Sequence, residues 1–288
     1  MTGRGGRAVS RPEPHDRERG NQRRAAMSDR VVRAVGLGAL LVAVACGCSA
    51  ASVAPLTPRA AVAPAPAEPP SAASQYRLTC RDRGAACPDG VGLLVRPAEP
   101  DAERCTAVLV APDRVLTASH CLAPEARTRG ALCAEIWVGF TASGGAPMEW
   151  AACDQVLSAD DIDDASVMRR DVALLRLARA VRRTVHPIDA RPPDPGSIVS
   201  VIAVRPHPIY PLYHELYERL CRVATRESAV ETFGEEAARV GWLMDCPSYG
   251  GNSGAPVLDA RGRVRSLLHG GSAPLHGIGI TSALPIDP

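Results

Sequence analysis

Short runs of apolar residues alternate with turn residues along most of the chain after about residue 78. The runs are rich in Val, Leu and Ile, and Pro, Gly and Asp stand between them, which favours β-strands over helices. A series of short strands of this kind predicts an all-β domain, either a barrel or a sandwich. The runs cover residues 91–95, 106–110, 114–118, 135–140, 172–177, 198–204, 255–258 and 263–268.

Two segments in the second half of the chain have a different spacing. In residues 213–222 and 227–239 the apolar positions recur every three or four residues, which is compatible with a helix. The pattern alone leaves both segments unassigned.

The composition changes ahead of the strand-rich region. Residues 49–74 consist mainly of Ala, Pro and Ser, with almost no large apolar side chain. Such a segment cannot bury enough surface to offset the entropy cost of ordering it. We therefore interpret it as a linker that its prolines keep extended, followed by one folded domain over residues 75–288.

The residues before the linker have the pattern of an export signal. Arg30 and Arg33 precede an apolar run over residues 34–45 that is too short to span a bilayer comfortably. Residues 27–48 are therefore a candidate signal peptide, and residues 1–26 a basic extension that is disordered or mis-assigned if Met27 is the true start. Two outcomes remain open: cleavage at the small residues ending at Ala45, or lipid attachment at Cys46 or Cys48.

Charge and cysteine content restrict the partners and the compartment. The formal net charge is +2, and the basic excess lies in the N-terminal extension, so the folded region shows no basic stripe that would predict nucleic-acid binding. Of the ten cysteines, eight lie beyond the candidate signal, and an even number in an exported chain predicts disulfides. We expect an extracellular or cell-envelope protein, either free or lipid-anchored to a membrane.

A serine stands in a turn of small residues directly before an apolar strand. Ser253 follows Gly251 and Asn252 and precedes Gly254 in this turn. Glycine on both sides would let the backbone aim two amides at one oxyanion, with Gly251 and Ser253 as the donors. A tight hairpin turn is the alternative interpretation of the same residues.

A serine nucleophile needs a base, and the base needs an acid that fixes its tautomer. His120 ends an apolar strand and is followed by a cysteine, whereas Asp171 begins one. The remaining histidines outside the serine region are interpreted as structural or surface residues, namely His186, His207, His214 and His276. Four further acids upstream of Asp171 predict a solvated loop or a calcium site, namely Asp160, Asp161, Asp163 and Asp164.

Three segments together resemble the catalytic motifs of trypsin-like serine proteases: residues 116–121, 171–177 and 251–256. They occur in that family's order, and Asn252 before the serine is similar to the bacterial branch that contains the glutamyl endopeptidases. The resemblance implies an all-β fold of two six-stranded antiparallel barrels. It also implies a triad of His120, Asp171 and Ser253, a polypeptide substrate, a monomeric enzyme and no metal or organic cofactor.

The family also suggests where the primary specificity pocket lies. Ser248 and the segment that contains His269, Gly270 and Gly271 fall at its expected position. Pro247 stands where trypsin carries its acidic residue, which disfavours basic substrates. His269 with Ser248 superficially resembles the acid-binding pair of glutamyl endopeptidases, but His269 directly precedes the glycine pair, a register that favours a structural histidine at the pocket wall.

Disulfide pairing is expected from sequence proximity and from the family. The pair that brackets the histidine strand in trypsin-like enzymes corresponds to Cys105 with Cys121. The other expected pairs are Cys80 with Cys87, Cys133 with Cys153, and Cys221 with Cys246.

Asn252 changes what the resemblance implies about activation. Animal digestive enzymes of this family bury a new terminal amine against an aspartate at this position. A neutral amide cannot compensate a buried ammonium, so we predict that Asn252 instead makes neutral hydrogen bonds that hold the loop of Gly250 and Gly251. Two non-enzymatic functions remain open, a catalytically inactive protease-fold binding protein of the cell envelope and a structural envelope lipoprotein.

Overall fold

The computed structural model describes residues 68–80, 88–99, 102–141, 148–160, 170–235, 238, 240–272, 277–281 and 284. Residues 61–288 form one compact unit, and residues 1–60, a second unit, lie outside the described residues. No helix within the described ranges is long and apolar enough to cross a membrane.

The described chain contains thirteen strands and two α-helices. The helices are α1 (Ser71–Ser74) and α2 (Arg226–Phe233). The strands are β1 (Arg77–Cys80), β2 (Val91–Val95), β3 (Cys105–Ala111), β4 (Arg114–Thr117), β5 (Trp137–Phe140), β6 (Glu149–Ala159), β7 (Ala173–Leu177), β8 (Ile198–Pro206), β9 (Tyr213–Val223), β10 (Gly241–Met244), β11 (Pro256–Leu258), β12 (Val264–Ser272) and β13 (Gly277–Thr281).

Two six-stranded antiparallel barrels account for all but one of these strands. The first closes in the order β2-β3-β4-β7-β6-β5. In the second the order is β9-β10-β13-β12-β11-β8, and pairing of β8 with β9 closes it. This confirms the predicted fold class, with one addition, because β1 attaches to β9 in parallel as a seventh strand.

Each barrel has its own apolar core, and a third cluster joins them. Leu109 and Leu175 are fully or almost fully buried in the first barrel, and Val201 and Leu243 in the second. The joining cluster combines residues of both barrels, including Val108, Leu116 and Leu174 from the first and Val204, Leu216 and Leu267 from the second. Apolar burial between barrels therefore fixes the loops that meet at their contact.

The eight predicted runs all coincide with strands, whereas one of the two unassigned segments forms a strand and the other contributes to a helix. Residues 213–222 lie in β9, whose buried positions follow the alternation of a strand at its start, and residues 227–239 contribute most of α2. The hydrophobic pattern did not indicate β1, β6, β10 or β13. These strands carry polar, small or bulky aromatic residues, and their place in a sheet comes from pairing with neighbouring strands.

Candidate active site

His120 lies in a short 3-10 turn, Ser119–Cys121, immediately after β4. A disulfide between Cys105 and Cys121 joins this turn to the first residue of β3. The guanidinium of Arg127 donates to the carbonyl oxygens of Ser119 and Leu122 at 3.2 Å, which closes the turn from the other side. The histidine is therefore held by covalent and hydrogen-bonded contacts on both flanks.

Asp171 lies two residues before the start of β7, which pairs with β4. Its side chain is fully buried, and both carboxylate oxygens bond to the same residue. Oδ1 accepts from the backbone N–H of His120 at 2.9 Å, and Oδ2 lies 2.6 Å from Nδ1 of the imidazole. A carboxylate in this position assigns the proton to Nδ1 and leaves Nε2 as the basic nitrogen.

Asp160 supports this pair, although the sequence assigned it to a solvated loop. Its Oδ2 accepts from the N–H of Val172 at 2.9 Å, and its carbonyl oxygen accepts from the Ser119 hydroxyl at 2.6 Å. Asp160 thus connects the turn that contains His120 with Val172, the residue after Asp171. The solvated-loop interpretation is therefore wrong for Asp160. The calcium hypothesis falls mainly on Asp161, Asp163 and Asp164, which lie outside the described residues.

Ser253 lies in the loop between β10 and β11, within the second barrel. Gly251 and Gly254 flank it with φ of +94° and +79°, the left-handed region that glycine adopts without strain. A Cβ at Gly254 would stand 2.3 Å from the carbonyl oxygen of Thr106, so the position also requires glycine for space. Within the described part of the chain the N–H groups of Gly251 and Ser253 have no acceptor, which leaves them available to an oxyanion.

Thr106, on β3, attaches the serine loop to the first barrel. Its N–H donates to the carbonyl oxygen of Ser253 at 2.8 Å, and its hydroxyl donates to that of Gly251 at 2.6 Å. The same hydroxyl accepts from the N–H of Val204 at 3.0 Å. Because Thr106 adjoins Cys105, one stretch of β3 connects the serine loop to the histidine turn. No motif indicated this residue.

The Ser253 hydroxyl is half-buried and makes no hydrogen bond with a described residue. Catalytic hydrogen bonds are often long before substrate binds, so this geometry is compatible with a base and nucleophile pair. Glu103 is the other charged neighbour of the imidazole, with Oε2 at 4.0 Å from Nε2 of His120.

Asn252 is buried, and its side chain makes three hydrogen bonds. Its Oδ1 accepts from the N–H of Tyr249 at 2.8 Å and from the hydroxyl of Tyr217 at 3.0 Å, while Nδ2 donates to the carbonyl oxygen of Val204 at 2.8 Å. All three partners are neutral. Burial raises the pKa of Tyr217, with the bond to Asn252 acting in the opposite direction.

Arg205 packs against the two tyrosines of this network. Its guanidinium lies 5.7 Å from the ring centre of Tyr217 and 5.6 Å from that of Tyr249, and it is paired with Glu215. Stacking of this kind holds aromatic rings in place, so the residues that orient Asn252 are themselves fixed.

The predicted pocket residues differ strongly in exposure. Ser248 is exposed, whereas the imidazole of His269 on β12 is buried against Gly279. Neither ring nitrogen of His269 has a hydrogen-bond partner of good geometry in the described part of the chain. Burial lowers the pKa of His269, the field of Asp171 raises it, and that of His120 lowers it further, which places His269 within electrostatic range of the pair. Gly270 and Gly271 follow it on the same strand.

Three of the four expected disulfides lie wholly within the described residues. These are Cys105–Cys121, Cys133–Cys153 and Cys221–Cys246. Cys80 is also disulfide-bonded, and Cys87, its expected partner, lies outside the described residues, as do Cys46 and Cys48. Cys105, Cys121 and His120 lie within metal-binding distance of one another. Since the two sulfurs form a disulfide and are not thiolates, this trio is not a metal centre.

Two six-stranded barrels, with a histidine bonded to a buried aspartate on the first and a glycine-flanked serine on the second, define the trypsin-like class of fold. The family model "Trypsin-like peptidase domain" matches residues 105–266, more than half of the chain. The chain belongs to this family. No curated protein sequence matches it.

Two solved structures show the same fold at low identity. An inactivated protease paralogue of the scabies mite, S-D1, is 16% identical with a TM-score of 0.53, over 68% of this chain and 88% of its own. A Glu endopeptidase crystallised with MPD is 14% identical, also with a TM-score of 0.53, over 71% of this chain and 89% of its own. At this level of identity the likeness concerns the fold.

Proposed function

We propose that the chain is an exported serine endopeptidase in which His120, Asp171 and Ser253 form the catalytic triad. The observation that carries the proposal is the buried carboxylate of Asp171, which bonds both the backbone and Nδ1 of His120. This arrangement prepares Nε2 to accept a proton. Membership of the trypsin-like peptidase family supports the same reaction class.

In the proposed mechanism Ser253 Oγ attacks the scissile carbonyl carbon while its proton passes to Nε2 of His120. The N–H groups of Gly251 and Ser253 stabilise the oxyanion. The C–N bond then breaks as His120 returns the proton to the leaving amine, and an acyl group remains on Ser253. Water, deprotonated by His120, hydrolyses this ester and restores the enzyme.

Activation without a new N-terminus is part of the proposal. The three neutral bonds of Asn252 supply the orientation that a buried ammonium supplies in the digestive enzymes. A charged amine would meet no compensating carboxylate at Asn252, and its burial there would be strongly unfavourable. The loop with Gly251 and Ser253 is therefore expected to be organised in the chain as it folds.

The rival function is an inactive protease-fold binding protein of the cell envelope. One structural neighbour is itself described as an inactivated protease paralogue. Against this rival, the three motif positions hold a histidine, an acid and a serine, one in each. Within the described residues the N–H groups of Gly251 and Ser253 also have no acceptor.

Labelling with a fluorophosphonate probe separates the two functions. An active serine should form a single covalent adduct, which peptide mapping should place on Ser253. The matched control is Ser197→Ala, because Ser197 is a half-buried serine whose hydroxyl bonds only to the carbonyl oxygen of Asp194 among the described residues; this variant should label normally, and Ser253→Ala should not. A folded protein that resists the probe would support the binding function instead.

A further inference from the structure

The turn between β8 and β9 exposes a continuous uncharged surface. Residues 208–213, here called the β8–β9 tip, read Pro-Ile-Tyr-Pro-Leu-Tyr, and all six are exposed. Ile209 is 72% exposed and Tyr210 55%. The tip contains half of the exposed large apolar residues of the described chain, and the remaining four are Leu132, Ile198, Leu220 and Tyr249. Concentrated exposure of this kind is typical of an interaction surface.

The tip is held in its exposed form by its own contacts. The N–H of Tyr213 donates to the carbonyl oxygen of Tyr210 at 2.9 Å, and the N–H groups of Ile209 and Tyr210 donate to Nδ1 of His207 at 3.2 and 3.3 Å. The ring of Tyr210 packs between His207 and Tyr213, with centroid distances of 5.1 and 5.4 Å. A partner would therefore meet a preformed apolar surface and would pay little entropy to order it.

The first strand of the domain runs beside the tip. β1 follows α1 (Ser71–Ser74), in which Ala73 is fully buried, and the first residue of β1, Arg77, pairs with Tyr213 of β9. The N–H of Arg77 donates to the carbonyl oxygen of Leu212 at 2.9 Å. A tether that leads back to an N-terminal membrane attachment would therefore join the domain at α1, which ends three residues before Arg77.

We propose that the β8–β9 tip contacts the interfacial region of a lipid bilayer and orients the domain at the membrane surface. Tyrosine places an apolar ring and a polar hydroxyl at such an interface, and Ile209 and Leu212 supply apolar area. The tip has no acidic residue, and the exposed Arg77 beside it offers a cation to anionic headgroups. A convex turn of six residues offers far less area than a stable protein interface requires, whereas a bilayer needs no complementary shape.

The test uses the chain from Ser49 onward, which lacks the candidate signal and lipid sites but retains the whole compact unit of residues 61–288. The probe is a vesicle of phosphatidylethanolamine and phosphatidylglycerol, and the measurement is co-sedimentation. Replacing Ile209 and Leu212 by serine should weaken vesicle binding by roughly tenfold or more, given the usual contribution of a large apolar side chain. The matched control replaces Ile198 and Leu220, which are equally exposed elsewhere, and should bind as the parent does.

A second measurement tests directly whether the tip enters the bilayer. In Tyr210→Trp, emission should shift to the blue on addition of vesicles and should be quenched by lipids brominated on their acyl chains.

Any of four results would overturn the proposal. The first two are that the parent protein does not bind vesicles, or that the control variant loses as much binding as the tip variant. The third is that the tip variant abolishes a dimer in analytical ultracentrifugation, which would assign the surface to contact with a second copy. The fourth is that the tip variant raises KM for a soluble peptide without changing vesicle binding, which would assign the surface to substrate binding. None of these measurements of vesicle binding depends on whether Ser253 reacts with a fluorophosphonate, so failure of one proposal does not imply failure of the other.

Discussion

The two barrels contribute to the same site by different physical means. The first orients His120 with a buried charge, because the Asp171 carboxylate accepts hydrogen bonds from both the backbone N–H and Nδ1 of His120. The second orients the Ser253 loop with neutral groups, because Asn252 bonds a tyrosine hydroxyl, an amide and a carbonyl oxygen. The first barrel also carries the disulfide beside the turn that contains His120.

The histidines show the same division. His120, on the first barrel, has a carboxylate partner, whereas His214 and His269, on the second, are buried; Nδ1 of His214 and both ring nitrogens of His269 lack a hydrogen-bond partner of good geometry in the described chain. The buried His120–Asp171 contact depends on a charge, whereas the bonds of the Asn252 side chain are neutral and offer no counter-charge to a group that becomes charged beside them. The comparison therefore predicts that removing charge will damage the first barrel's contribution and that adding charge will damage the second.

The largest effect should come from the nucleophile, on which both halves depend. Ser253→Ala should reduce peptide or ester turnover by roughly six orders of magnitude, the scale seen when a triad serine is removed. The fold should survive, because the Ser253 hydroxyl makes no hydrogen bond with the described chain. Turnover numbers with matched circular dichroism spectra test this, and nearly full activity would refute the assignment of Ser253.

The next largest effect should come from neutralising the Asp171 carboxylate on the first barrel. Asp171→Asn should lower turnover by roughly four orders of magnitude, because an amide in this place favours the wrong imidazole tautomer. Asp160→Asn is the matched control, since an amide oxygen can still accept the N–H of Val172. A larger loss in the Asp160 variant, or in variants of Asp163 or Asp164, would mean that the acid has been assigned incorrectly.

Acid should weaken the fold through the second barrel. Burial lowers the pKa of His214 to about 4 against an ordinary value of 6.5. Between these values the unfolded chain binds a proton that the folded chain does not, so stability is complete above about pH 6.5 and falls as the pH drops towards 4, by at most about 3 kcal/mol. His214→Phe should flatten this dependence in urea unfolding, and an unchanged slope would exclude His214 as its source.

Removing one neutral bond should have a smaller effect. Tyr217→Phe leaves Asn252 with the Tyr249 amide and the Val204 carbonyl, and a lost hydrogen bond is worth about 1 kcal/mol, or roughly a fivefold change. If the bond positions the oxyanion loop, the loss should appear in kcat and leave KM unchanged. Tyr76→Phe is the control, because it removes a tyrosine hydroxyl that bonds to the Arg104 guanidinium and not to Asn252. Equal losses in both variants would point to general destabilisation.

The smallest expected effect concerns the N-terminus. Chains that begin at different positions between Ser49 and Ser74 should hydrolyse substrate equally well, since Asn252 is already satisfied by neutral partners. Kinetic comparison of several starts tests this. Dependence on one particular first residue would show that a terminal amine enters the site, and the contrast between the two barrels would fail.

The local sequence was sufficient to predict a feature wherever that feature depends on one short segment. The apolar runs predicted strands such as β2 and β7, and the residues around His120, Asp171 and Ser253 were identifiable from their immediate neighbours. The resemblance to the family predicted the Cys105–Cys121 disulfide, and proximity together with the family predicted Cys133–Cys153 and Cys221–Cys246. These features depend on short-range periodicity and on the chemistry of single segments, which the sequence displays directly.

Tertiary structure alone decided the contacts that bring those segments together. The Thr106 hydroxyl and the Gly251 carbonyl are separated by 145 residues, and Thr106 carries no motif that would mark it. Asp160 was misinterpreted because its acidic neighbours indicate solvent, whereas its own partners lie on two other segments. Tyr217 meets Asn252 only because β8 and β9 close the second barrel. The sequence determined which groups could react, and burial between the barrels determined which of them are held in place, because long-range contacts follow from packing of the whole domain rather than from any local pattern.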